Sequence, residues 1–192
     1  MKMDPILIFF DTEFTELGIN PRLISIGLIS EDGREFYAEL SDTYQTKNCS
    51  AFVVESVLPH LEGGEVLISM RELALALLSW IHDFGESVQF ATDSLAWDWR
   101  WIELIWAELG AHCLEDTDVW TDMKNSPHRL VNVGCPGNVA LQTFVLPQSA
   151  EFTLAVEQAY AQYPRLRQHH ALDDAKANRL GWLAVRKFSP TT

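Results

Sequence analysis

The sequence predicts one α/β domain, spanning residues 1–192, in which a hairpin of strands comes first and helices follow. Three observations predict it. The chain opens on a continuous apolar run, residues 5–10, of the kind carried by a strand buried on both faces. A turn dipeptide, Asp32-Gly33, then separates two further strand-like stretches, 22–30 and 35–40, which it should fold into an antiparallel pair. From residue 70 onward the apolar residues recur mainly at helical spacing.

The elements follow in order. Residues 42–64 read as irregular, broken by Asn48, Pro59 and Gly63-Gly64. Ser69 can cap a helix over 70–84, because Glu72 stands at the capping-box position and Leu73, Leu77, Leu78 and Ile81 share one face. Gly85 should stop it. A short strand is expected over 88–92. A helix over about 94–109, ended by Gly110, comes next, then a fifth strand over 118–123. Residues 127–149 show no period, because Gly134, Pro136, Gly137 and Pro147 interrupt it. Helices are expected over 152–162 and 171–186. No internal repeat or low-complexity linker divides the chain.

Size and composition bound the function. A chain of 192 residues can bury a sizeable core. Its 47% hydrophobic and 21% charged residues fit a globular protein rather than a disordered one. The apolar run at the start lacks a basic flank and a cleavage site. No stretch reaches the ~20 apolar residues of a membrane span, so a cytoplasmic protein is expected. Cys49, Cys113 and Cys135 are odd in number and widely spaced, which argues for reduced thiols and against a disulfide framework. The 14 Lys and Arg against 27 Asp and Glu give a net charge of −13. A protein that grips long duplex by its phosphates would be basic. The acidity reads either as a solubilising surface, which accounts for most of these groups, or as carboxylates that bind cations, in which case any nucleic-acid contact is short and local.

Three segments carry candidate chemistry. Asp11-Thr12-Glu13 follows the first strand, and alternation along extended chain puts Asp11 and Glu13 on one side. Two such carboxylates repel unless a hard cation such as Mg²⁺ or Mn²⁺ joins them. A polar strand end with two solvated acids satisfies the same pattern. His169-His170-Ala171-Leu172-Asp173-Asp174 puts a histidine at or before a helix start and two acids in its first turn, where the macrodipole favours them with or without a site. Asp98 lies among Trp97, Trp99 and Trp101. It reads either as a solvated position between core positions or as a ligand at the mouth of an aromatic pocket, while Asp93 reads as the cap of that helix.

Taken together, these segments resemble the DEDDh family of 3′–5′ exonucleases, which includes oligoribonuclease, ribonuclease T and proofreading exonucleases. Asp11-Thr12-Glu13-Phe14 is similar to its first motif, Asp98 to its second-motif acid, and His169 with Asp174 to its His-x-x-x-x-Asp third motif. Only His169, not His170, has an aspartate five residues on. With Leu23-Ile24-Ser25-Ile26-Gly27, the first motif also resembles the small bacterial and phage exoribonuclease branch. The resemblance runs from Ile6 to about Leu183 and is weakest over 116–148. Asp93-Ser94 stands where the family often carries His-Asn.

The resemblance implies a ribonuclease-H-like α/β fold, a mixed central sheet with helices on both faces. It implies hydrolysis of single-stranded RNA or short oligonucleotides, with DNA a further substrate, releasing nucleoside 5′-monophosphates. It also implies two divalent cations, Mg²⁺ or Mn²⁺, held by Asp11, Glu13, Asp98 and Asp174 and clamping the scissile phosphate, with His169 as general base. Thr12, Phe14 and Trp97 would contact substrate, through a backbone amide and stacking faces, although tryptophans are more often core than platform. Arg165 and Arg167 could steer phosphates or form a solvated basic turn. Lys176, Arg179, Arg186 and Lys187 could add a positive edge. Related members imply a homodimer. The rival readings are a catalytically silent interaction module of the same fold and a phosphodiesterase acting on a small nucleotide.

Overall fold

The computed structural model describes residues 5–85, 87–113, 131–132 and 140–186. Strand β1 (Ile6–Phe14) is antiparallel to β2 (Leu23–Ser30), which is antiparallel to β3 (Glu35–Leu40). Helix α1 (Ala51–Ser56) and the short edge strand β4 (Leu67–Ile68) follow, then α2 (Met70–His82), β5 (Val88–Thr92) and α3 (Leu95–Cys113). The described chain ends with β6 (Val131–Asn132), β7 (Ala140–Val145), α4 (Ala150–Gln162) and α5 (Ala171–Arg186). The sheet order is β4-β3-β2-β1-β5-β7-β6, with β5 parallel to β1 and β7 parallel to β5. Helices lie on both faces, the arrangement that the ribonuclease-H-like class implies.

Each face has its own core, and β1 divides them by alternation. Ile8 and Phe10 point to one side, where they join Leu73, Leu77 and Ile81 of α2 and Trp101, Ile102, Ile105 and Trp106 of α3. Phe9 points to the other, with Ile29, Ala91, Phe152 of α4 and Ala175 of α5. Strand β2 is buried along its whole length, as its near-unbroken Leu and Ile content requires. Helix α5 lies close to the sheet because its buried positions are mostly small: Ala171, Ala175, Ala177 and Gly181. The closest approach is at Gly27. A Cβ there would stand 2.1 Å from the Leu172 nitrogen and 2.4 Å from the Ala171 carbonyl carbon. Only a residue without a side chain lets the first turn of α5 rest on β2.

Several local expectations are met. The Asp32-Gly33 turn joins β2 to β3, with Gly33 at φ 97°. Ser69 and Glu72 form the full capping box of α2. Other boundaries differ. The first strand runs on through Phe14 instead of ending at Phe10, because Asp11 to Glu13 keep pairing with Ser25 to Gly27. Residues 42–64 contain α1, capped by the Ser50 side chain, which accepts from the Val53 N–H. Helix α2 stops at His82, two residues early, and Gly85 at φ 64° closes its end with an N–H to the His82 carbonyl. Helix α3 continues through Gly110 to Cys113, because a glycine weakens a helix without obliging it to stop. The unreadable stretch 127–149 contains β6 and the whole of β7, and α4 starts two residues early under a Ser149 cap. The fifth strand expected over 118–123 lies outside the described residues, as do Cys135 and Lys187. Cys49 is a free thiol. No helix among the described residues is long and apolar enough to cross a membrane.

Gly27→Ala should destabilise the protein by about 3 kcal/mol or more, the upper end of overpacking costs, because the obstructing atoms are backbone. The same variant should lose affinity for divalent cations, since α5 carries part of the site described below. Ser69→Ala should cost only about 1 kcal/mol and leave cation affinity alone. Urea unfolding and cation titration of both variants check the pair, and a Gly27→Ala protein as stable as the parent would refute the packing argument.

Candidate metal centre

The site forms where β1 and β5 end and the first turns of α3 and α5 meet them. Asp11 and Glu13 lie on the same face of β1 as Phe9, so they look toward α5. The β1–β2 register pairs Asp11 with Gly27, and the first turn of α5 therefore rests beside Asp11. Asp174 belongs to that turn. Its Oδ2 accepts the His169 N–H at 3.0 Å, and its Oδ1 accepts the Tyr160 hydroxyl from α4. His169 takes the left-handed conformation, φ 64°, which a non-glycine residue adopts at a cost and chiefly where its surroundings fix it. Its ring meets Phe52 of α1 edge-on, with centroids 4.9 Å apart.

Asp98 arrives from the other side. It is not a solvated position between core positions but part of the buried stripe itself, since Trp101, Ile102 and Ile105 follow it at helical spacing. At 2% exposure it accepts the Thr12 hydroxyl at 2.6 Å and the Thr92 hydroxyl at 2.7 Å, which favour its charged form against burial. The two threonines come from the ends of β1 and β5, so this acid bridges both strands. Thr12 thus spends its side chain on Asp98 rather than on a ligand. Asp93 does not cap α3. Its carboxylate accepts from Asn178 of α5 at 3.0 Å and turns toward Asp11 and Asp98.

Two donor groups result. In one, carboxylate oxygens of Asp11, Asp93 and Asp98 lie within 4.8 Å of one another. In the other, the same holds for donor atoms of Glu13, His169 and Asp174. All of these residues except Asp93 line one pocket of about 610 Å³, which Thr12, Phe14, Phe52 and Trp97 also line. Phe14 and Trp97 stack on each other, centroids 6.1 Å apart, and Trp97 leaves 39% of its surface open. All eight residues singled out in the sequence therefore come to one place. Sequence reasoning missed Tyr160, Asn178, Thr92 and Phe52, none of which sits in a distinctive local pattern.

The electrostatics suit a cation. Burial first, and then the neighbouring carboxylates Asp98, Asp174 and Glu13, hold the Asp11 carboxyl well above its ordinary value. Burial followed by Asp174 and Asp98 pushes Glu13 up to about 8. Asp174 rises to about 7, mainly by burial, against the opposing hydrogen bonds from Tyr160 and the His169 amide. Burial raises Asp98 to about 6 despite its two threonine donors. Carboxylates crowded in this way are uncomfortable as bare anions, and hard divalent cations prefer such all-oxygen donors. His169 goes the other way. Burial, helped by His60, lowers it below the ordinary histidine value, so its ring is neutral at neutral pH.

The expected basic contacts are largely engaged elsewhere. Arg167 pairs with Asp173 at 2.7 Å and Glu62 at 2.9 Å, which braces the start of α5 instead of meeting phosphate. Lys176 pairs with Glu35, Arg186 with Glu31, and Arg179 donates to the Glu31 carbonyl. Among the described residues, the basic side of α5 thus grips the β2–β3 hairpin and forms no free positive edge. Buried His170 caps α5, its Nδ1 accepting the Asp173 N–H at 3.3 Å.

The chain is similar to 3′–5′ exoribonucleases. It is 35% identical over 96 residues to proteins of that name from two strains of Mycobacterium tuberculosis, CDC 1551/Oshkosh and ATCC 25618/H37Rv. The match covers 49% of this chain and 52% of each relative, so the chain spans about half the length of the curated relatives it matches. These relatives bear out the DEDDh resemblance read from the motifs. No family model matches. A looser likeness, TM-score 0.48 at 14% identity, covers 94% of this chain and 82% of the Mg²⁺- and Mn²⁺-bound form of Pop2p from S. pombe.

The raised carboxylates predict a pH-dependent stability without metal. Their folded values lie above the ordinary carboxylate range of about 4, so the fold favours the protonated forms. That contribution is complete below about pH 4 and is lost as pH rises through about 6 to 8. The Tm of the chelated protein should therefore fall across this window. Saturating Mg²⁺ or Mn²⁺ should raise Tm far more at about pH 8 than at about pH 5. Equal metal-induced shifts at both pH values would contradict the assignment of these acids as ligands.

Proposed function

We propose that the chain is a metal-dependent 3′–5′ exonuclease that releases nucleoside 5′-monophosphates from single-stranded RNA or short oligoribonucleotides. The observation that carries this reading is the convergence of Asp11, Glu13, Asp98 and Asp174 with His169 in one pocket, from β1, α3, α5 and the turn before α5. A silent interaction module has no use for that convergence, since one buried and three partly buried carboxylates crowded together cost stability unless they hold something. The relatives named 3′–5′ exoribonuclease support the direction of attack and the preference for RNA.

Asp11, Glu13, Asp98 and Asp174 would hold two divalent cations, Mg²⁺ or Mn²⁺, which supply Lewis-acid charge to the scissile phosphate when bound. Asp93, beside Asp11 and Asp98, adds negative charge to one end of the cluster. Thr12 and Thr92 keep Asp98 oriented, and Tyr160 does the same for Asp174. His169 accepts the proton of the attacking water at a ring nitrogen. Its lowered value keeps it unprotonated for that task. Its contact with Phe52, together with the anchoring of its N–H on Asp174, fixes the ring at the pocket wall. The open face of Trp97, backed by Phe14, offers a stacking surface worth about 1–3 kcal/mol to the terminal base.

Incubation with 5′-labelled RNA and Mn²⁺ should give a ladder shortening from the 3′ end, and 3′-labelled RNA should release labelled mononucleotide at once. Chelation should stop both. A shortening ladder from 3′-labelled RNA, or full activity in excess chelator, would overturn the reading.

His169→Ala should lower the rate by about 10²–10⁴-fold, the usual cost of losing a general base, with metal binding largely kept. Asp11→Asn should weaken metal binding and rate together. His170→Ala should act mainly on stability, because His170 caps α5 and is packed against Tyr37. Rates at saturating metal, with Tm measured in parallel, separate the three. A His169→Ala protein of near-parental rate would remove His169 as the base.

A further inference from the structure

Beside the carboxylate pocket lies a second one of about 740 Å³, at the same end of the sheet. It is formed by the loop between β1 and β2 and the loop after β3. Glu16 lines both pockets, so the two are neighbours on either side of that residue. The second pocket holds no catalytic group. Asn20, Arg22, Thr43, Tyr44, Gln45 and Asn48 line it with amide, hydroxyl and guanidinium groups.

Arg22 is the one cation among the described residues that line this pocket; Lys47, Arg71 and Arg165, also without an ion pair, line neither pocket. Arg34, Arg167, Lys176 and Arg186 all sit in ion pairs. Arg22 is exposed and makes no ion pair among the described residues. In a chain of net charge −13, an unpaired guanidinium next to the candidate site is a specific feature. Its position is fixed while its side chain is free. The Arg22 N–H donates to Thr15 Oγ1 at 3.0 Å, and its carbonyl accepts the Thr15 N–H at 2.9 Å. That pairing puts it roughly 13 Å beyond Asp11 along β1, at four residues of strand rise. Of the two acids in the pocket, Asp42 is committed to the Met70 N–H at 3.0 Å. Glu16, at the junction, repels phosphate but can accept from a ribose hydroxyl, which leaves the phosphate to Arg22.

We propose that this second pocket binds the nucleotides just upstream of the 3′-terminal one, with Arg22 contacting a backbone phosphate and the amides of Asn20, Gln45 and Asn48 facing base edges. The inference rests on the exonuclease reading and adds to it a subsite that only an oligonucleotide can fill. It makes the chain a binder of short single strands in spite of its acidity, because one local cation replaces a basic surface.

The test measures binding of adenosine 5′-monophosphate and of a single-stranded RNA tetramer, in Ca²⁺ to hold turnover low, across a series of salt concentrations. The parent should bind the tetramer more tightly than the monophosphate. Arg22→Ala should weaken the tetramer and reduce the slope of log K against log salt by about 0.7, the loss of one phosphate contact on a single strand. Its affinity for the monophosphate should not change, and Arg22→Lys should keep the parental slope. An Arg22→Ala protein with the parental slope would overturn the subsite, as would one that lost both ligands equally. A parent that bound the monophosphate but not the tetramer any better would overturn the subsite and leave the exonuclease reading standing. A parent that bound neither would overturn both.

Discussion

The first turn of α5 rests directly on the backbone of β2 at Gly27, and the geometry of the whole site depends on that contact. Gly27 pairs with Asp11 across the β1–β2 ladder, so the helix start is delivered to the strand that carries Asp11 and Glu13. The other contacts of α5 reinforce its placement. Gly181 admits Val156 and Phe152 of α4, Arg167 clamps Asp173 to Glu62, and Arg179 and Arg186 fasten the helix to the β2–β3 hairpin. Side chains that a sequence reading offers to phosphate serve instead to hold one helix at one height above the sheet.

This rigidity has an electrostatic consequence. Asp11, Glu13, Asp98 and Asp174 cannot separate to relieve their repulsion, because two apolar cores fix the elements that carry them. Repulsion and desolvation therefore appear as raised carboxyl values rather than as movement. The hydrogen bonds on Asp98 and Asp174 have the opposite effect and keep these two closer to the ionised state in which a ligand works. Ligands held this firmly would need little rearrangement to position a phosphate group through a bound cation.

The negative surface constrains recognition. Most of the described cations on and before α5 are consumed by ion pairs within the fold, and in the function proposed above stacking on Trp97 with local contact at Arg22 would take the place of an extended basic groove. Such a surface suits short or single strands, whose bases expose their faces, over duplex held along its phosphates.

Much was legible in the sequence because it is local. Strand alternation put Asp11 and Glu13 on one face, the Asp32-Gly33 dipeptide made the hairpin, Ser69 and Glu72 made the capping box, and the five-residue step separated His169 from His170. Asp98 was legible too, one turn before Trp101 and Ile102 on the helical stripe that continues to Ile105. What the sequence by itself determined was thus each element's periodicity and the residue types at its end. Only the tertiary structure decided that Asp93 faces the acids instead of capping α3, that Thr12 spends its hydroxyl on Asp98, that Arg167 braces α5, and that Tyr160 reaches Asp174. Those outcomes depend on which element lies against which, and at what distance. Residues 160 and 174, or 93 and 178, become neighbours only after the sheet has formed and the helices have packed onto its faces.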